Sequence, residues 1–189
     1  FATSGPRMKV RFFAGYDLEN LKLDDLSLIQ DAYKSSIPMG GTLNISANKN
    51  PTFLVWAIAD PVGAPLQRTQ IIKGWLEDGE HKEKVFDIAC SDGLSVDPET
   101  YRCPDNKAWV DLSNCSTSAD SGAREMKVFW QDPEFKNDQV AFYYSRVLEN
   151  PVCRWSTWDS VRSGNKPRSD IPATIQERAW SSPIWVNNF

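Results

Sequence analysis

The longest uninterrupted apolar stretch of the chain, residues 53–59, stops at Asp60-Pro61, and the other apolar runs are shorter and punctuated by Gly, Pro or Asp. A membrane-spanning helix needs roughly 20 consecutive apolar residues, so a run of this length has the reach of one β-strand. Residues 52–59 are apolar at nearly every position instead of at alternate ones. That pattern predicts a central strand covered on both faces.

Around it the spacing is that of half-buried strands. Met8, Val10 and Phe12 alternate with Lys9 and Arg11, and Met126, Val128 and Trp130 repeat the pattern. Residues 139–148 place Val140, Phe142, Tyr144 and Leu148 on one side and Ala141, Tyr143 and Val147 on the other. Residues 69–76 and 83–90 pair as a hairpin about Asp78-Gly79, with the polar residues near His81 predicted to lengthen its loop. Phe86, Ile88 and Cys90 share a face of the second arm. Residues 42–46 read as an edge strand.

Helical spacing is confined to Leu26, Leu28, Ile29, Ala32 and Tyr33, with Asp24 or Asp25 as the cap, and to a turn over residues 157–162. Residues 172–186 form an irregular segment and a closing strand, with Pro183 between Trp180 and Trp185. About eight strands with one or two short helices predict a mainly β fold, a β-sandwich, with a long disulfide-stapled loop.

That loop is residues 91–121, polar and rich in Asp and Pro, in which only residues 108–112 resemble a strand. It contains Cys103 and Cys115, and the other two cysteines are Cys90 and Cys153. No CxxC pair is present, so the spacing favours two disulfides over a zinc site, with three pairings open. Disulfides imply an oxidising compartment, and the expected location is periplasmic or secreted. The 189 residues suit one main domain, and a net charge of -4 with a pI near 5.1 argues against a nucleic-acid surface.

Catalytic chemistry is scarce. Nucleophilic triads and multi-histidine metal centres need imidazoles, and the chain has a single histidine, His81, beside the hairpin turn among Glu80, Lys82 and Glu83. Phosphate-loop, dinucleotide and nucleophile-elbow motifs are absent. Asp92, Asp97, Glu99 and Asp105 crowd one loop where oxygen ligands could hold calcium, but their spacing fits no calcium loop and ordinary solvated acids are the simpler reading. Trp56, Trp75 and Trp130 fall in strand patterns and read as core. Trp155, Trp158, Trp180 and Trp185 read as interface packing or, alternatively, as platforms for stacking a glycan. Arg7, after Gly5-Pro6, is a salt-bridge residue or an anion contact at the mouth of an active site.

The strings FATSGPRMKVRFF, PMGG, PTFLVWAIADP, QIIKGW, VFDIACSDG, WQDPEF, AFYYSRVLENPVCRWSTWD and PATIQERAWSSPIW, in that order, resemble the C-terminal portion of the domain-of-unknown-function family 3604. The resemblance implies a larger bacterial, often exported parent whose N-terminal part is similar to a PHP-type metal-binding barrel. It implies a metal-dependent hydrolase of unknown substrate, with the divalent metal held upstream and no cofactor or catalytic residue carried into this chain. It further implies that residues 1–7 are the end of that barrel and residues 8–189 the C-terminal domain. The barrel is then the expected partner, with no nucleic acid and no membrane span. The alternative is an independent glycan- or polymer-binding module using the late aromatics, and a self-sufficient hydrolase would need a metal or nucleophile that the chain does not display.

Overall fold

In the computed structural model, which describes residues 1–46, 49–118 and 120–187, two β-sheets pack face to face and a small helical layer covers part of one of them. In chain order the strands are β1 (Ala2–Thr3), β2 (Lys9–Gly15), β3 (Ile37–Pro38), β4 (Thr42–Asn44), β5 (Thr52–Ile58), β6 (Leu66–Glu77), β7 (Glu80–Cys90), β8 (Glu125–Gln131), β9 (Ala141–Glu149), β10 (Val152–Cys153), β11 (Thr174–Ile175), β12 (Arg178–Trp180) and β13 (Ile184–Asn187). Helix α1 spans Leu28–Ser35 and α2 spans Trp155–Ser163. The fold is mainly β, as the alternation predicts.

One sheet runs β3-β2-β5-β8, all antiparallel neighbours. β5 is its central strand, and Phe53, Leu54, Val55 and Ala57 are fully buried because both of its faces are covered. The larger sheet is built on β9, with β6 and then β7 on one edge. β12 and β13 share the other edge in tandem, separated by the Ser181–Pro183 break, and β1 and β4 flank them. β1 therefore hydrogen-bonds into this sheet, Ala2 opposite Trp180 and Thr3 opposite Ala179.

Between the sheets Ile71, Phe86, Tyr143, Ile184 and Val186 meet Phe12, Phe53 and Val55. Phe53 lies 4.5 Å from the Tyr143 ring and 5.7 Å from Phe12, centroid to centroid. Burial of each such side chain stabilises by roughly 1.5–3 kcal/mol. The alternate residues Phe13 and Leu54 face the other way, against Leu18, Leu28 and Ala32 of the helical layer.

Three local expectations change. Helix α1 begins at Leu28, not at residue 24, because Asp25 Oδ1 accepts the Ser27 N–H and hydroxyl, 2.9 Å each, in a preceding turn; Leu26 is left in solvent. The β6–β7 connection is a two-residue turn, Asp78 at φ 52° and Gly79 at φ 79°, so β7 starts at Glu80 and His81 pairs with Leu76. Residues 108–112 form no strand, only a single bridge between Val110 and Thr117.

Candidate functional site

The pairing that was open is Cys90–Cys103 and Cys115–Cys153. The first ties the loop 91–121 to the end of β7 in the larger sheet and the second ties it to β10, which pairs only with β11, so this long polar segment is fastened at two points. Its acids are occupied locally. Asp97 Oδ1 accepts the Glu99 and Thr100 N–H groups, Asp105 Oδ1 accepts that of Lys107, and Asp92 takes Ser91, Asn106 and the Gly122 N–H. They close turns instead of converging. Among the described residues no group of three or more His, Cys, Asp or Glu is placed to hold a metal ion; the cysteines are paired and His81 is exposed on β7.

The late tryptophans do not form one surface. Trp155 stands exposed on α2, while Trp158, one turn on, lies half-buried under the Arg162 guanidinium. Trp180 is half-buried beside β1. Trp185 packs at 5.3 Å on Phe142, whose ring covers Gly74 so closely that a Cβ there would sit 2.2 Å from it. Trp75, Trp130 and Trp56 are half-buried within their strands, Trp56 capped by Lys127 and donating to Glu125 at 2.7 Å.

Arg7 has an exposed side chain, and its backbone N–H donates to Asp60 Oδ2 at 2.6 Å. That bond, with the one from the Val62 N–H, holds the Asp60 carboxyl below the ordinary carboxylate range. Pro6, next to Arg7, lines a cavity of about 480 Å³ that also takes in Arg124, Glu149, Trp158, Glu177 and the Cys115–Cys153 bridge; Arg7 itself does not line it. Glu149 ends β9 and is buried, with its Oε1 lacking a hydrogen-bond partner among the described residues. Burial, reinforced by Asp60 and Glu177, pushes its carboxyl up to about 7.

Such a group can exchange a proton near neutrality. The cavity supplies no imidazole or free thiol beside it, so no reaction follows from the carboxyl alone. Sequence reasoning missed Glu149 and Asp60. The available signal was register: Glu149 continues the inward rank Ala141, Tyr143, Ser145 and Val147, where a carboxylate is out of place.

No helix among the described residues is long and apolar enough to cross a membrane. Neither a curated protein nor a solved structure matches the chain. A family model does match, over residues 1–188 and thus over every described strand, the stapled loop and the turn at Arg7: the chain belongs to the family described as Protein of unknown function (DUF3604).

Proposed function

We propose that the chain is the non-catalytic C-terminal domain of an exported metal-dependent hydrolase of unknown substrate, and that it packs on and stabilises the hydrolase's catalytic barrel. The observation that carries this reading is a half-covered sheet. The helical layer shields Phe13, Leu54 and part of Trp56 and leaves open the end of the four-stranded sheet bearing Lys9, Arg11 and Ile58. Tyr33 is exposed beside it, receiving Arg11 Nη1 at 3.2 Å, and Phe1 and Met39 continue the apolar surface. An exposed face mixing aromatics and aliphatics with cations suits an interface with a neighbour of acidic and apolar surface. Because this face adjoins the residues leading into β2, a barrel preceding Phe1 in a longer polypeptide would meet it directly. The Arg7 turn and the Glu149 cavity would then lie near the seam. The two disulfides support an oxidising location, periplasmic or extracellular.

A second reading, a glycan-binding module on the late aromatics, is favoured by the exposed Trp185 beside Phe142, Leu76 and Val140. Hydroxyl-radical footprinting separates the two. Oxidation of Tyr33, Trp56 and Ile58 should fall several-fold in the longer polypeptide relative to this chain alone. Unchanged oxidation there, with Trp185 protected by added oligosaccharide instead, overturns the packing role.

A further inference from the structure

The outer face of the seven-stranded sheet carries a polar network on the strands whose inner face is core. Asp87 is buried and accepts from Arg68 Nη1 at 3.2 Å, Gln70 Nε2 at 2.6 Å and the Cys103 N–H at 2.7 Å. Gln67 Oε1 accepts Arg68 Nε at 3.0 Å and Nη2 at 2.7 Å, and also Gln176 Nε2 at 2.8 Å. Arg68 is thereby held rigid with its charge partly balanced.

Two further arginines join it without such balance. Across the sheet Arg68 lies opposite Leu148, and Leu148 opposite Arg178, so both guanidinium stems leave the same face, roughly 10 Å apart at the backbone. Among the described residues the Arg178 guanidinium donates only from Nε, to the Gln176 carbonyl at 3.2 Å. Arg154, at the start of α2, has a buried Nε with no hydrogen-bond partner among the described residues. All three line one pocket of about 440 Å³, together with Gln67, Gln176 and Asp105. A buried donor left unpaired costs about 1–3 kcal/mol, so the fold keeps Arg154 at this pocket at a cost in stability.

Each disulfide fixes one wall. Cys103 precedes Asp105 by two residues, and Cys153 immediately precedes Arg154. Preorganisation of this kind is what a binding site needs and what a solvated surface does not.

We propose that Arg68, Arg154 and Arg178 form a binding site for a saccharide that carries an oxyanion. Planar guanidinium forks match carboxylate, sulfate and phosphate oxygens, and the Arg154 and Arg178 donors are free to supply them. Gln67 is taken up within the chain, but Gln176 Oε1, Asp105 and the Thr174 hydroxyl line the same space and suit sugar hydroxyls, and the pocket lies in the lower part of the size range of small-molecule sites. The site owes nothing to the late tryptophans. It lies on the seven-stranded sheet and shares no residue with the four-stranded face assigned to the barrel, so it does not rest on that packing.

Calorimetric titration of the full chain with a uronic acid oligosaccharide, a sulfated and a phosphorylated sugar, their neutral parent and inorganic sulfate or phosphate tests this. At least one acidic saccharide should bind, more weakly as salt is raised, and Arg154→Ala and Arg178→Ala should each weaken it by roughly tenfold or more while the disulfides and melting temperature are retained. Arg178→Lys, which keeps the charge and loses the fork, should fall between. The proposal is overturned by no binding of any acidic saccharide, by binding indifferent to both alanine variants, or by the bare anions or neutral parent binding as tightly as the sugar acid.

Discussion

Strands β6 and β9 carry a polar cluster on each face, and the two differ in how their donors are used. Inside, Lys73 Nζ lies 2.6 Å from Asp132 Oδ2 and 3.2 Å from the Glu134 carbonyl, while Tyr143 donates to the same Asp132 oxygen at 2.8 Å. Lys73, Asp132 and Tyr143 are all buried, and burial with the Asp132 charge raises the Tyr143 hydroxyl far above its ordinary pKa. Each member has its partner within the chain. Outside, Arg68 is similarly tied, but Arg154 and Arg178 keep guanidinium donors that no described residue takes. A closed cluster holds two sheets together; an open one of like chemistry leaves capacity for something that is not protein.

If the inner cluster is closed, breaking it should cost most. Asp132→Ala strands a buried ammonium and is expected to destabilise the fold by about 3–5 kcal/mol in urea or guanidinium denaturation, whereas a loss under 1 kcal/mol would show that Lys73 finds water and that the contrast is false. Next in size is the clamp on the outer cluster. Replacing Cys115 and Cys153 together by Ser should cost roughly 2–4 kcal/mol, read from the denaturation midpoint. It should also weaken acidic-saccharide binding, since the walls that carry Arg154 and Asp105 are no longer tethered together; undiminished affinity would deny the bridge any role in shaping the pocket.

Last is Glu149, which shares the inner rank yet forms no salt bridge among the described residues. Its carboxyl titrates near 7 in the folded protein against an ordinary 4.5, so the native state retains a proton that the unfolded chain gives up. The stability it contributes is complete below about 4.5 and is lost as the pH rises through about 7. Glu149→Gln should remove that slope and exceed the native chain in stability at pH 8 by up to about 3 kcal/mol. Melting temperatures measured from pH 4 to 8 check this, and parallel profiles for the two proteins would mean the carboxyl is already ionised in the fold.

Much of the fold was legible because alternation is a local signal. β2, β5, β8 and β9 lie where their apolar periods put them, and the Asp78-Gly79 turn was recognisable, although the exposed end of β7 was read as loop because Glu80, His81 and Lys82 present no buried face to interrupt the polar run. Residues 108–112 looked like a strand from their composition, but no neighbouring strand offers them a ladder. The candidate sites were less legible. Trp155, Trp158, Trp180 and Trp185 are close in sequence and separate in space, whereas Arg68, Arg154 and Arg178 are the reverse.

The order of apolar and polar residues by itself determined that this chain makes short strands, turns at its Gly and Asp-Gly positions, and has too little imidazole for a histidine-based centre. Tertiary structure alone decided which cysteines meet, which of two sheet faces is left bare, and that three distant arginines share a pocket. The reason is one of range. Strand periodicity is set by backbone geometry within a few residues, while a site depends on pairings across sheets that no local pattern records.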